Sequence, residues 1–172
     1  LKRDIYEGGH RLPFLVKWPE GVPADRVCGA LVSQIDLMAT LAAVVGAKLP
    51  GNAAEDSHNL LPLFQGGTTP VRDTHVHNTT ATYAIRHGDW VLVDAKDGYI
   101  SKVDPNWEIR HGYPAKDSHT AELYNLKEDI GQKNNLAAAH PEKLEELRSL
   151  LNKVRQQRHS APRLEDAPTI PN

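Results

Sequence analysis

The chain has 172 residues, 40% of them hydrophobic and 24% charged, which is the balance of a globular domain and excludes a fibrous or disordered one. Twenty basic against twenty-two acidic side chains give a formal charge of −2, without the basic excess of a nucleic-acid binder. No apolar run approaches the roughly 20 residues that span a bilayer, so neither nucleic acid nor a membrane is an expected partner, and Cys28 as the single cysteine leaves no intrachain disulfide.

The first eleven positions, "LKRDIYEGGHR", crowd Lys2, Arg3, Asp4, Tyr6, Glu7, His10 and Arg11 around Gly8-Gly9. Paired glycines open backbone angles closed to other residues, and a sharp turn is expected there. Leu12 to Trp18 (LPFLVKW) is apolar almost throughout and closes on Pro19, Gly21 and Pro23, the pattern of a strand covered on both faces. Cys28 follows in "RVCGALV" and reads as a small buried thiol. Ser33 then stands as a cap before Ile35, Leu37, Met38, Leu41, Ala42 and Val45, with Gly46 beyond them; this predicts a helix over Gln34–Val45.

Pro50 to Pro70 is connection around one apolar piece, Leu60 to Phe64. From Thr74 the period changes to two. His75–Asn78, Thr82–Arg86, Trp90–Val93 and Glu122–Leu126 read as short strands, and His87-Gly88-Asp89 as a hairpin turn. Between the last two lies an irregular insert, Lys96 to Thr120, whose Trp107, His111 and Tyr113 either offer faces to a sugar ring or simply pack the loop. Pro141 to Gln157 places Leu144, Leu147, Leu150, Leu151 and Val154 on one helical face. The expected organisation is therefore α/β in class and α+β within this chain. Residues 1–70 form the end of a larger α/β domain, 71–160 a small antiparallel sheet with a closing helix, and 161–172 a tail. His75 and His77 share one face of a strand in a manner compatible with zinc, but no third ligand has a persuasive spacing, so no metal site is expected in the chain.

Several stretches, in order, resemble the sulfatase family of the arylsulfatase and sugar-sulfate type. They are Lys2 with Tyr6-Glu7-Gly8-Gly9-x-Arg11-x-Pro13 and a run ending Trp18-Pro19; "LVSQIDLMATLAAVVGAKLP"; "DSHNLLPLFQGG"; "YAIRHGDWVLV"; and "ELYNLKEDIGQKNNLAAAHPEKLEELRSLL". The resemblance covers Leu1 to about Pro162 and implies the C-terminal part of an alkaline-phosphatase-like fold. It further implies hydrolysis of a sulfated small molecule or glycan by a formylglycine nucleophile with Ca²⁺, in a periplasmic or secreted protein. The family's nucleophile motif, Cys- or Ser-x-Pro-x-Arg, has no copy here, and Cys28 lacks the Pro and Arg at the required offsets. The nucleophile and the Ca²⁺ ligands are accordingly expected in a missing N-terminal domain, and the chain alone is expected to be inactive.

By the same resemblance Lys2 is the lysine that contacts a sulfate oxygen. His77 stands where relatives often read Val-His-His-Ser, although Val76 and Asn78 depart from that pattern, and is a candidate substrate contact together with His10 near the pocket. Glu7 and Arg11 are read as pins of the turn. Two other readings stay open: a phosphonate or phosphodiester hydrolase of the same superfamily, and a non-catalytic binding or structural module.

Overall fold

Short β-prone runs between turn residues produce a four-stranded antiparallel sheet of order β1-β2-β3-β4, comprising β1 Thr74–Asn78, β2 Tyr83–His87, β3 Trp90–Val93 and β4 Glu122–Asn125. The structure is a computed structural model that describes residues 2–80, 82–99, 101–113, 119–157 and 159–162. His87 pairs with Trp90 across Gly88-Asp89, and Gly88 takes a φ of +58°, the left-handed angle that a two-residue hairpin turn demands at its first position. Register then continues as Ile85 with Leu92 and Leu92 with Leu123, so one apolar row crosses the strands.

Because side chains alternate along a strand, that row and its neighbours face opposite ways. Ile85, Leu92 and Leu123 form a core with Leu147 and Leu151 of a helix at Pro141–Gln157, which closes one face of the sheet. Ala84, Val91, Val93 and Tyr124 project to the other face, and their covering residue is Ile5, 1% exposed, from the opposite end of the sequence. The sheet is thus buried on both sides. Leu92 lies at its centre and is fully buried; Leu92→Ala is expected to cost about 2–5 kcal/mol, measured by urea unfolding. A cost under about 1 kcal/mol would mean that the row is loosely packed.

The chain divides into two compact units. One comprises Leu1–Pro13 with Thr74–Lys153, the other Phe14–Asp73 with Val154–Asn172. Helical elements in chain order are α1 Glu7–His10, α2 Leu37–Val44 (preceded by a 3-10 turn, Gln34–Asp36), α3 Leu61–Phe64, α4 Pro105–Arg110 and α5 Pro141–Gln157. In the second unit the carboxylate of Asp36 organises the polypeptide. It accepts the backbone N–H of Ser33 at 2.8 Å and of His58 at 2.9 Å, and pairs with the guanidinium of Arg72, the two charged groups lying in the interior. Thr40 Oγ1 donates to the Asp36 carbonyl and accepts the N–H of Leu60, which ties α2 to the start of α3.

Three expectations are corrected. Leu12–Trp18 has no regular secondary structure, with Leu12 70% and Leu15 92% exposed. A strand exists only where its N–H and C=O groups find a second strand, and among the described residues none pairs with this one. Cys28 is exposed rather than buried, lying in a surface stretch beside an equally exposed Val27. Gly8 and Gly9 sit in the single turn of α1, and neither takes a left-handed angle; the residue that does is Arg3, with φ +80°.

Candidate functional site

Lys2 is the exposed head of a segment in which Asp4, Ile5, Tyr6 and Glu7 are held one after another by the sheet unit. The Lys2 carbonyl accepts a hydrogen bond from Ser101 Oγ at 3.3 Å, and the Asp4 carboxylate accepts the N–H of Ser101 at 2.8 Å. Ile5 donates its N–H to the Gly98 carbonyl at 3.2 Å while its side chain enters the core. Tyr6 donates its hydroxyl to Glu122 Oε2 at 2.8 Å and accepts the N–H of Gly98 at 3.0 Å. Burial first, and then the charge of Glu122, push the Tyr6 phenol far above its ordinary range, so it remains a donor.

The Glu7 N–H donates to Gln132 Oε1 at 2.7 Å. Its carboxylate reaches forward along α1 to Arg11 at 2.9 Å and His10 at 3.5 Å, which makes Glu7 and Arg11 the pins of this turn. Burial raises the pKa of Glu7, but the hydrogen bond and charge of His10 and the hydrogen bond of Arg11 outweigh it and hold the carboxyl at about 2.

His77 lies on the Ile5 face of β1, because Val76 points into the opposite core. Its Nε2 is 2.9 Å from the Ile5 carbonyl and therefore carries the proton and donates it. His75 stacks beside it with ring centroids 5.6 Å apart, and His10 lies over it at 4.1 Å. His10 and His77 are thus brought together around Glu7, whereas the Lys2 side chain points to solvent. Among the described residues no three His, Cys, Asp or Glu side chains gather to hold a metal ion. Cys28 is followed at its second and fourth positions by Ala30 and Val32 rather than by Pro and Arg. Among the described residues no Ca²⁺ cage is formed, and the sequence holds no copy of the formylglycine precursor motif.

Burial, with the charge of His10, lowers His77 to about 4 from an ordinary 6.5. A histidine kept neutral in the fold but protonated in the unfolded chain stabilises the unfolded state as pH falls, so stability should drop from about pH 6.5 to 4 by on the order of 3 kcal/mol. Glu7 has its folded value depressed and adds a second loss lower down, between about 4.5 and 2. Unfolding midpoints measured against pH for wild type and His77→Gln check this. The glutamine variant should lose most of the upper limb, leaving the part owed to His58, which burial also holds below its ordinary range, and an unchanged limb would assign it elsewhere.

Sequence reasoning did not single out Gln132, Ser101 or Glu122. Each contacts the segment from more than 90 positions away in the chain, and only the Asp129-Ile130-Gly131 turn before Gln132 hints at a fixed geometry. In the insert, Asp104 caps α4 by accepting the N–H of Asn106, and Trp107, 41% exposed, stacks on His111 at 4.0 Å and on Tyr113 at 5.9 Å.

A family model described as N-sulphoglucosamine sulphohydrolase, C-terminal, matches residues 1–160. An N-acetylgalactosamine-6-O-sulfatase of Bacteroides thetaiotaomicron is 37% identical over 155 residues, covering 90% of this chain and 29% of that protein. Human arylsulfatase A is 33% identical over 160 residues, covering 87% of this chain and 31% of that protein. The chain therefore spans about three-tenths of the length of these curated relatives. A solved structure from work on the metabolism of multiple glycosaminoglycans by Bacteroides thetaiotaomicron superposes with a TM-score of 0.70 at 35% identity, over 90% of this chain and 31% of that one. A second, in complex with D-glucosamine-2-N,6-O-disulfate, superposes at 0.58 with 21% identity over 82% of this chain and 27% of that one, and shares the fold.

Proposed function

Because this chain belongs to the family described as N-sulphoglucosamine sulphohydrolase, C-terminal, we propose that it is the C-terminal part of an enzyme that hydrolyses sugar sulfate esters. An amino-sugar 6-sulfate is the first candidate substrate. The observation that carries this reading is the 37% identity to an N-acetylgalactosamine-6-O-sulfatase along 90% of the chain.

Lys2 is the residue of this chain that takes part in the chemistry. As the S–O bond to the sugar breaks, negative charge gathers on the bridging and sulfate oxygens, and a fixed ammonium stabilises that charge most in a site closed to water. His10 stands beside the same segment and flanks the sugar side, while His77 is turned inward onto the Ile5 carbonyl. The nucleophile and the Ca²⁺ of such an enzyme are assigned to the segment that completes it. Leu15, Val27, Leu41 and Val45 are exposed on the second unit. Apolar surface of this extent supports packing of that unit against further polypeptide.

Sulfate release by the full-length protein tests the reading, with N-acetylgalactosamine 6-sulfate, an aryl sulfate and a phosphonate ester as parallel substrates. Preferred turnover of the sugar sulfate is expected, and no turnover by the 172-residue chain alone. Phosphonate cleavage without sulfate release would overturn it, as would an intact full-length protein inert towards all three.

A further inference from the structure

Lys2 has an exposed side chain, so the structure must fix it through the main chain behind it. Two inward-turned side chains of the sheet unit do this without touching Lys2. His77 Nε2 donates to the carbonyl of Ile5 at 2.9 Å, and Gln132 Oε1 accepts the N–H of Glu7 at 2.7 Å. These bonds lie on either side of Tyr6, and with Ile5 in the core they leave this stretch little freedom. Gln132 is only 7% exposed and occupies a left-handed φ of +52°, an angle that a residue other than glycine keeps only when its surroundings enforce it. The remaining polar atoms of the pair, His77 Nδ1 and Gln132 Nε2, are buried without a protein partner. Each side chain therefore makes one bond inside the fold, and in both cases that bond goes to the backbone behind Lys2.

We propose that His77 and Gln132 are positioning residues for Lys2, clamping the main chain at Ile5 and Glu7 so that the Lys2 ammonium stands at a fixed point. This rests on the reading of Lys2 as the sulfate contact. It gives the small C-terminal sheet a role in catalysis beyond packing, because a donor misplaced by about 1 Å loses much of its effect on the transition state.

The test uses the full-length enzyme carrying His77→Phe or Gln132→Met, which keep bulk and remove the bond, and His77→Gln or Gln132→Glu, which keep a donor or an acceptor. Each disruptive variant should lower kcat by about tenfold with little change in KM, and each conservative one should recover most of the loss. In a Lys2→Ala background the same substitutions should lower kcat no further, since they act through the lysine. Losses that multiply in that background, or wild-type kcat in both disruptive variants, would overturn the clamp. Amide hydrogen exchange of residues 4–7 judges the anchoring separately: it should quicken at least tenfold in His77→Phe and Gln132→Met, and unchanged exchange also overturns the proposal. If exchange quickens while Lys2→Ala leaves kcat intact, the clamp holds the backbone but the assignment of Lys2 is what fails. Should one disruptive variant not fold, the other decides.

Discussion

Lys2→Ala in the full-length enzyme is expected to lower kcat by roughly 10²–10³-fold, the scale of removing one preorganised transition-state donor. The expectation follows from how the segment is built. Four consecutive residues behind Lys2 are tied to the sheet unit: Asp4 to Ser101, Ile5 to Gly98 and the core, Tyr6 to Glu122, Glu7 to Gln132. A segment gripped in this way presents its head rather than hiding it. KM should change much less, because the contact strengthens as charge develops on the sulfate oxygens. Lys2→Arg should recover only part of the loss, since a planar fork does not place one N–H where the compact ammonium does. A kcat within twofold of wild type for Lys2→Ala, measured on a sugar sulfate, would remove the residue from the site.

The second large effect is on stability. Arg72→Ala is expected to destabilise the 172-residue chain by about 3–5 kcal/mol. Arg72 and Asp36 have side chains 2% and 0% exposed, and the guanidinium also donates to the Asp56 carbonyl at 2.8 Å. Removing the cation leaves a carboxylate in the interior with only the N–H groups of Ser33 and His58 to compensate it, and a buried charge stripped of its counterion is costly. The same Arg72 charge, after burial, holds His58 below its ordinary range, so the variant should also let His58 titrate higher. Denaturant unfolding and a double-mutant cycle with Asp36→Asn measure the coupling. A loss under about 1 kcal/mol would show that Asp36 is satisfied by its N–H donors alone.

The sheet unit was legible because its information is local. Alternation in Tyr83–His87 and Trp90–Val93, a glycine at the hairpin turn, and leucines three and four apart in Pro141–Gln157 each specify an element without reference to distant residues. Lys2, Glu7 and Arg11 were likewise visible as a crowded polar motif. Leu12–Trp18 shows where local reading ends: the run declares a need for burial, but a strand also needs a partner, and apolar composition does not supply one. Cys28 failed for the same reason, since a residue's preference for the interior does not create a neighbour to cover it. Gly8-Gly9 drew attention to the wrong bend, because a glycine permits a left-handed angle while the contacts of Asp4 and Ile5 impose one on Arg3. The clamp through His77 and Gln132 joins positions 72 and 125 apart in sequence. Neither residue carries a local mark of that pairing, and only the folded sheet brings them under the Lys2 segment.

The most direct measurement is a crystal structure of the full-length enzyme with a slowly hydrolysed amino-sugar 6-sulfate bound. The Lys2 ammonium should lie within about 3 Å of a sulfate oxygen, with the Ile5 carbonyl still on His77 and the Glu7 N–H still on Gln132. A sulfate group held by other residues, with the Lys2 ammonium more than about 6 Å away and turned to solvent, would contradict the assignment.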